Sequence, residues 1–220
     1  MDSDRQATTL IARGSWRPVL LVAVLSTLVV LGGWAYQRGG GYAMETARIA
    51  EVLELRPGMT VADVGAGDGS YSVFLAEQVG DLGRVFATEV DPDLVDGIRQ
   101  TVEGHSRVTV ILGELDATGL PDGCCDRILL RRVYHHFLDP DAMDRSLFSA
   151  LEPGGIIAVI DFLPRGTAPE GVPENRGGHG TPIDLLTEEM TRNGFELVRQ
   201  VENWPGSERD YCVLFRRPER

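Results

Sequence analysis

The sequence predicts an α/β domain: a doubly wound, mostly parallel sheet of seven strands with one antiparallel strand near its edge, preceded by a single hydrophobic helix of transmembrane type. Three observations predict it. From Thr60 onward, short apolar runs alternate with amphipathic stretches, as strands do with crossover helices. A glycine-rich turn, DVGAGDG at 63–69, falls directly between the first strand and the helix after it. The last two apolar runs are joined by the tight turn Trp204-Pro205-Gly206, which makes them an antiparallel pair.

The elements follow in order. Residues 19–36, VLLVAVLSTLVVLGGWAY, are eighteen residues without a charge. As a helix they span about 27 Å, close to the roughly 30 Å hydrocarbon core of a bilayer. Trp16, Trp34 and Tyr36 bracket the segment as interfacial aromatics do. An uncleaved anchor is the reading preferred, with a cleaved signal peptide as the alternative. Arg5, Arg13 and Arg17 before it, against Arg38 and Arg48 after it, favour the N-terminus inside. The chain thus divides into a tail at 1–18, the anchor or signal peptide at 19–36, a Gly-rich linker at 37–42 and a domain at 43–220.

In the domain, METARIAEVLEL at 44–55 has Met44, Ala47, Ile49, Val52, Leu53 and Leu55 biased to one helical face, and Arg56-Pro57-Gly58 stops it. Strands follow at 60–64, 84–89, 108–112, 126–133 and 155–162. Helices separate them at 70–79, 91–102 and 139–151. Residues 163–180, LPRGTAPEGVPENRGGHG, form a long Pro- and Gly-rich loop, of the kind that is usually functional. Thr181 and Pro182 open a helix as N-cap and first-turn proline. It runs to Asn193-Gly194, and strands at 195–203 and 209–217 finish the chain.

Composition narrows the partners. The chain has 21 Arg and no Lys against 33 Asp and Glu, net −12. Setting aside Asp2, Asp4, Arg5, Arg13, Arg17 and Arg38 leaves 17 Arg against 31 acidic residues from Tyr42 onward, net −14. Such a domain lacks the basic footprint that nucleic-acid binding needs. Three cysteines without a C-x-x-C spacing read as free thiols in a reducing compartment.

The chemistry concentrates at the glycine turn. Gly65, Gly67 and Gly69 let the backbone turn sharply and approach a ligand, at the N-terminus of a helix with unpaired N–H groups. Glu89, twenty residues on at the end of the second strand, is placed to accept from a ribose diol. Together these are the signature of an adenosine-containing cofactor. The dinucleotide fingerprint G-x-G-x-x-G is broken by Ser70 at its sixth position. Asp63 ahead of the first glycine repels a pyrophosphate and suits a cationic amino-acid portion.

On these residues the chain resembles the class I S-adenosylmethionine-dependent methyltransferases, small-molecule branch, from about Ile49 to Phe215. The resemblance implies a Rossmann-like sheet ending in an antiparallel strand, with S-adenosylmethionine as cofactor. It implies that Asp63, Gly65, Ala66, Gly67 and Gly69 take the methionine part, Glu89 the ribose hydroxyls and Val90 the side of the adenine. Asp116-Ala117, ahead of Leu120-Pro121, matches the family's acid–Ala pair and is implied to contact the adenine amino group. LEPGG at 151–155 resembles the turn into strand five, and VYHHF at 133–137 the segment after strand four.

Methyl transfer needs a protein base only when the acceptor is protonated at working pH. His135 and His136, at the carboxyl end of strand four, are the candidate catalytic residues. A histidine that packs or caps the next helix is the alternative. Arg131 is a candidate for the cofactor carboxylate, since along a strand only one of Arg131 and Arg132 faces that side. Asp161 reads as a turn carboxylate and His179 as a solvated loop residue. No metal is expected, because adjacent histidines are taken to point apart and no second cluster has ligand spacing. The function expected is methyl transfer to a small or amphiphilic acceptor, such as a quinone, lipid or other hydrophobic metabolite held near a membrane. Because the cofactor is a cytosolic metabolite, the domain is expected on the cytosolic face despite the arginine count. A nicotinamide-dependent oxidoreductase and a catalytically silent cofactor-binding module are the alternatives.

Overall fold

The computed structural model describes residues 40–170 and 172–219. The chain falls into two units, Met1–Tyr42 and Ala43–Arg220, and apart from the first residues of α1 everything below lies in the second. The expected span at 19–36, with its orientation and signal-peptide alternative, lies outside the described residues. Among the described residues no helix is long and apolar enough to cross a membrane.

Seven strands form one sheet in the order β3-β2-β1-β4-β5-β7-β6. They are β1 Thr60–Val64, β2 Arg84–Glu89, β3 Val108–Leu112, β4 Cys125–Arg131, β5 Leu151–Phe162, β6 Glu196–Val201 and β7 Asp210–Arg216. Every pair from β3 across to β5 is parallel. β7 runs antiparallel to both β5 and β6, so the reversed strand is second from the edge, as the hairpin turn requires. The helices are α1 over 40–52, α2 Ser70–Val79, α3 Pro92–Thr101, α4 Pro140–Ala150 and α5 Ile183–Arg192.

The period-two alternation of the central strands divides the core. Ala62, Val64, Ile128, Leu130, Ile157, Val159, Val213 and Phe215 face α4 and α5 through Met143, Leu147, Leu186 and Met190. Val61, Val85, Leu129, Ala158, Ile160, Cys212 and Leu214 face α1 and α2 through Ile49, Leu53, Leu75 and Val79. Two helix starts are written locally. Asp91 and Asp139 each cap with a side-chain oxygen, bonded to Asp93 N and Ala142 N at 2.9 Å, and each precedes a proline.

Four local expectations are corrected. α1 buries Glu45, Thr46, Ile49 and Val52, while Met44 and Ala47 are exposed, so that the helix turns Glu45 inward to the ion pair described below. β4 stops at Arg131: Arg132 takes φ +56°, which turns the chain out of the sheet into a 3-10 turn at Tyr134–His136. β5 starts at Leu151, with Glu152-Pro153-Gly154 accommodated by a register shift against β4. Pro182, not Thr181, caps α5, because the Thr181 hydroxyl is directed at Asp161 instead, at 3.3 Å.

Candidate active site

The carboxyl ends of β1, β2 and β4 open onto a cavity of about 660 Å³, within the roughly 300–1,000 Å³ range of cofactor sites. It lies where strand order reverses about β1, the switch point at which open α/β sheets bind ligands. Gly65, with φ +73°, crosses under Val133, so a Cβ there would lie 2.5 Å from a Val133 methyl. Gly67, with φ +58°, has no atom within 4 Å of a Cβ position and faces the cavity. The turn is tied down by Gly65 N and Ala66 N, which both donate to Thr88 O, at 2.9 and 3.0 Å.

Two acids frame the cavity. Glu89 accepts from Gly67 N at 3.1 Å through one carboxylate oxygen and from Val90 N at 2.8 Å through the other. Asp63 is buried in the central strand and accepts from the Ser72 hydroxyl at 2.6 Å. Burial pushes its carboxyl up to about 6, against the opposing pull of that hydroxyl and of the Arg131 charge.

The predicted cofactor residues do not all meet. Asp63, Gly65, Ala66, Gly67, Glu89, Val90, Ala117 and Arg131 line the cavity. Asp116 is exposed and off the wall, because the chain places its neighbours Glu114, Leu115 and Ala117 there instead. Gly69 is also off the wall; it caps α2 with φ +79° and admits Ile98 of α3, whose methyl lies 3.2 Å from a Cβ position. Arg131 does not stand alone at the cavity. Its Nε and Nη2 donate to Glu45 at 3.0 and 2.8 Å, and its guanidinium lies 4.4 Å over the Tyr71 ring. Glu45 also accepts from the Tyr71 hydroxyl and Trp204 Nε1. Burial raises its carboxyl, but bonds from Arg131, Tyr71 and Trp204 hold it below the ordinary range. Nothing in METARIAEV distinguishes Glu45 from a solvated helical acid; only the fold brings it to a partner 86 residues away. Arg132 lines the cavity as well, because past the strand end the alternation that would exclude it no longer applies.

The two histidines part company. His136 is exposed on the cavity wall. His135 is buried behind it and off the wall, with Nδ1 bonded to Asp161 at 2.9 Å and its backbone N–H donating to the same carboxylate at 3.1 Å. His135 is therefore not placed to touch a ligand in the cavity. The rings nevertheless do not point apart: their centroids are 4.1 Å from each other, and His179 of the long loop joins them at 4.9 and 6.3 Å. Divergence holds for a strand, whereas in a 3-10 turn successive side chains are separated by only about 120°. Burial, then His135 and Arg165, hold His179 below the ordinary imidazole range.

Residues 62–159 match the family model described as a methyltransferase domain. The solved structure of a SAM-dependent methyltransferase from Aquifex aeolicus superposes with a TM-score of 0.66 at 25% identity, covering 79% of this chain and 90% of that one. A ubiquinone/menaquinone biosynthesis C-methyltransferase of Shewanella oneidensis is 30% identical over 115 residues, 51% of this chain and 46% of that protein. A protein-L-isoaspartate O-methyltransferase of Methanopyrus kandleri is 35% identical over 116 residues, 51% of this chain and 49% of that protein. The chain spans about half the length, or less, of the curated relatives it matches. Residues 62–159 are thus similar to methyltransferase domains, and the cofactor is S-adenosylmethionine. The residues present fit that cofactor: an open glycine face, an acid at each side and apolar walls at Val90, Leu94 and Leu115.

Proposed function

We propose that residues 62–159 belong to a methyltransferase domain and that this chain transfers a methyl group from S-adenosylmethionine to a small or amphiphilic acceptor. The observation that carries the reading is the bond from Gly67 N to Glu89, which joins the glycine turn and the acidic strand end in one cavity. In this reading Glu89 accepts from the ribose hydroxyls, and the open face of Gly65–Gly67 receives the methionine part. Asp63 sits beneath the amino group, while Val90, Leu94, Leu115 and Ala117 flank the adenine. S-adenosylmethionine supplies both the activated methyl and its leaving group. The protein's work is then to align the acceptor in line with that methyl and to exclude water. Val133, Phe137, Leu138 and Met143 give the remaining wall an apolar character, and His136 stands among them. His136 takes the proton from an acceptor that carries one at neutral pH.

Calorimetric titration of the chain with S-adenosylmethionine, S-adenosylhomocysteine and NAD tests the reading. Micromolar binding of the adenosyl ligands, weakened at least tenfold by Glu89→Ala, is the expected result (about 1.4 kcal/mol). Preference for NAD, or no adenosyl binding, refutes it.

The segment at 19–36 is read as an anchor that holds the domain near lipid on the cytosolic face. The Shewanella relative, named for a step of quinone synthesis, supports a lipid-like acceptor. A reporter fused after Gly41 that is active only outside the cytosol refutes this placement.

A further inference from the structure

We propose that His135, His136 and His179 form a binding site for one divalent transition-metal ion of the zinc class, at the edge of the cofactor cavity. One ligand nitrogen from each ring can be chosen so that all three lie within 4.8 Å of one another. In a tetrahedral site with bonds of about 2.05 Å the nitrogens stand about 3.3 Å apart, a difference within reach of side-chain rotation. Three imidazoles and an open fourth position make the donor set of a zinc site that holds an exchangeable ligand.

Three independent features favour an ion over ring packing alone. The first is the carboxylate behind His135. Asp161 accepts from His135 Nδ1, His135 N, Phe162 N and Thr181 Oγ1, at 2.9 to 3.3 Å. A carboxylate with its lone pairs so filled by donors requires the proton on Nδ1, which leaves the Nε2 lone pair of His135 for a metal. The second is the delivery of His179. It pairs with Arg165 through two backbone bonds of 3.0 Å, and glycines flank it on both sides. A Cβ on Gly178 would lie 2.7 Å from Gly166 O, and one on Gly180 would lie 2.5 Å from Phe162 O. The sequence G-H-G thus lets the loop backbone approach closely enough to place the third ring. The third is selectivity: of the four histidines in the chain, three converge here from segments 43 residues apart, and only His105 lies elsewhere.

Because His136 also lines the cofactor cavity, the open position of the ion is offered to the acceptor end of that cavity. The ligand class it suits is an acceptor bearing a hydroxyl, thiolate or carboxylate. This last step rests on the methyl-transfer reading; the metal site does not.

The test is titration of chelator-treated full-length protein with Co²⁺, followed by its visible d–d absorption, and displacement by Zn²⁺. One Co²⁺ per chain with the intense bands of a four-coordinate site is expected. His179→Ala, on a partly exposed loop, and His136→Ala should each weaken binding at least tenfold. Asp161→Asn should weaken it by about 10- to 100-fold, and His105→Ala should leave it unchanged. Folding of each variant is checked by circular dichroism. A folded wild type without the bands, or a folded His179→Ala with wild-type affinity, overturns the proposal. Calorimetry with S-adenosylmethionine on the same samples is read separately. Its failure in a protein that binds Co²⁺ as expected defeats the methyl-transfer reading and leaves the metal site standing.

Discussion

Gly65 and Gly67 are two residues apart in one turn, yet alanine at each should fail differently. Both have positive φ, +73° and +58°, so either alanine costs about 1–2 kcal/mol in backbone strain. Gly67→Ala adds little else, since its Cβ meets nothing within 4 Å. Gly65→Ala drives a methyl to 2.5, 2.8 and 3.2 Å from three atoms of Val133, an overpacking worth about 1–3 kcal/mol more. At about 2–4 °C per kcal/mol for a chain of this size, the two variants should differ by about 2–12 °C in Tm, with Gly65→Ala the lower. Adding Val133→Ala should recover only part of the loss, because the Val133 Cβ itself lies 2.8 Å away. Function should sort the other way. Gly67→Ala places its methyl into the cavity and should lose S-adenosylmethionine binding while staying folded. Paired thermal melts and calorimetry decide. Equal Tm losses, or wild-type cofactor affinity in Gly67→Ala, would refute the division of labour between a packing glycine and a ligand-facing one.

Two further outcomes follow from buried charge. Burial pushes Asp144 from 3.8 up to about 7, with Oδ2 bonded to the Tyr134 hydroxyl and Oδ1 without a partner among the described residues. The native state therefore keeps a proton that the unfolded chain gives up, so stability falls as pH rises from about 4 to about 7, by a few kcal/mol in all. Asp63 adds the same sign up to about 6. Asp144→Asn should flatten denaturant-derived stability between pH 6 and 7; an unchanged slope there excludes Asp144 as its source. Arg176 is fully buried and donates to Glu189 at 2.7 Å, pinning the 163–180 loop to α5. Arg176→Ala leaves Glu189 buried without its cation and should cost about 3 kcal/mol, with faster tryptic cleavage in the loop. A variant as protease-resistant as wild type shows that the pin does not hold the loop.

The strands were legible because their cause is local. Runs such as TVADV and GIIAVIDF carry their own period and composition, and DVGAGDG with Glu89 announces a cofactor turn through residues that few other turns require. The misses share a different cause. Glu45 against Arg131, and His179 against His135, are contacts between distant segments whose individual residues look ordinary. Motif register puts Asp116 and Gly69 at the cofactor, but an exposed loop and a helix crossing decide where they face. Thr181 has the right residue type for a cap, and only the nearby Asp161 shows that its hydroxyl is used elsewhere. His135 and His136 would diverge along a strand but do not in a 3-10 turn, a difference of local conformation rather than of chemistry.

The bond between Glu89 and Gly67 has a kinetic consequence. A carboxylate offers about four lone-pair positions, and here the two backbone donors occupy only part of them. Arriving hydroxyls can be accepted without release of the turn, so the site is organised before its ligand arrives. Association should accordingly follow a single concentration-dependent phase, with no slow isomerisation limiting it. Discrimination between the spent and the charged cofactor then resides in the dissociation rate.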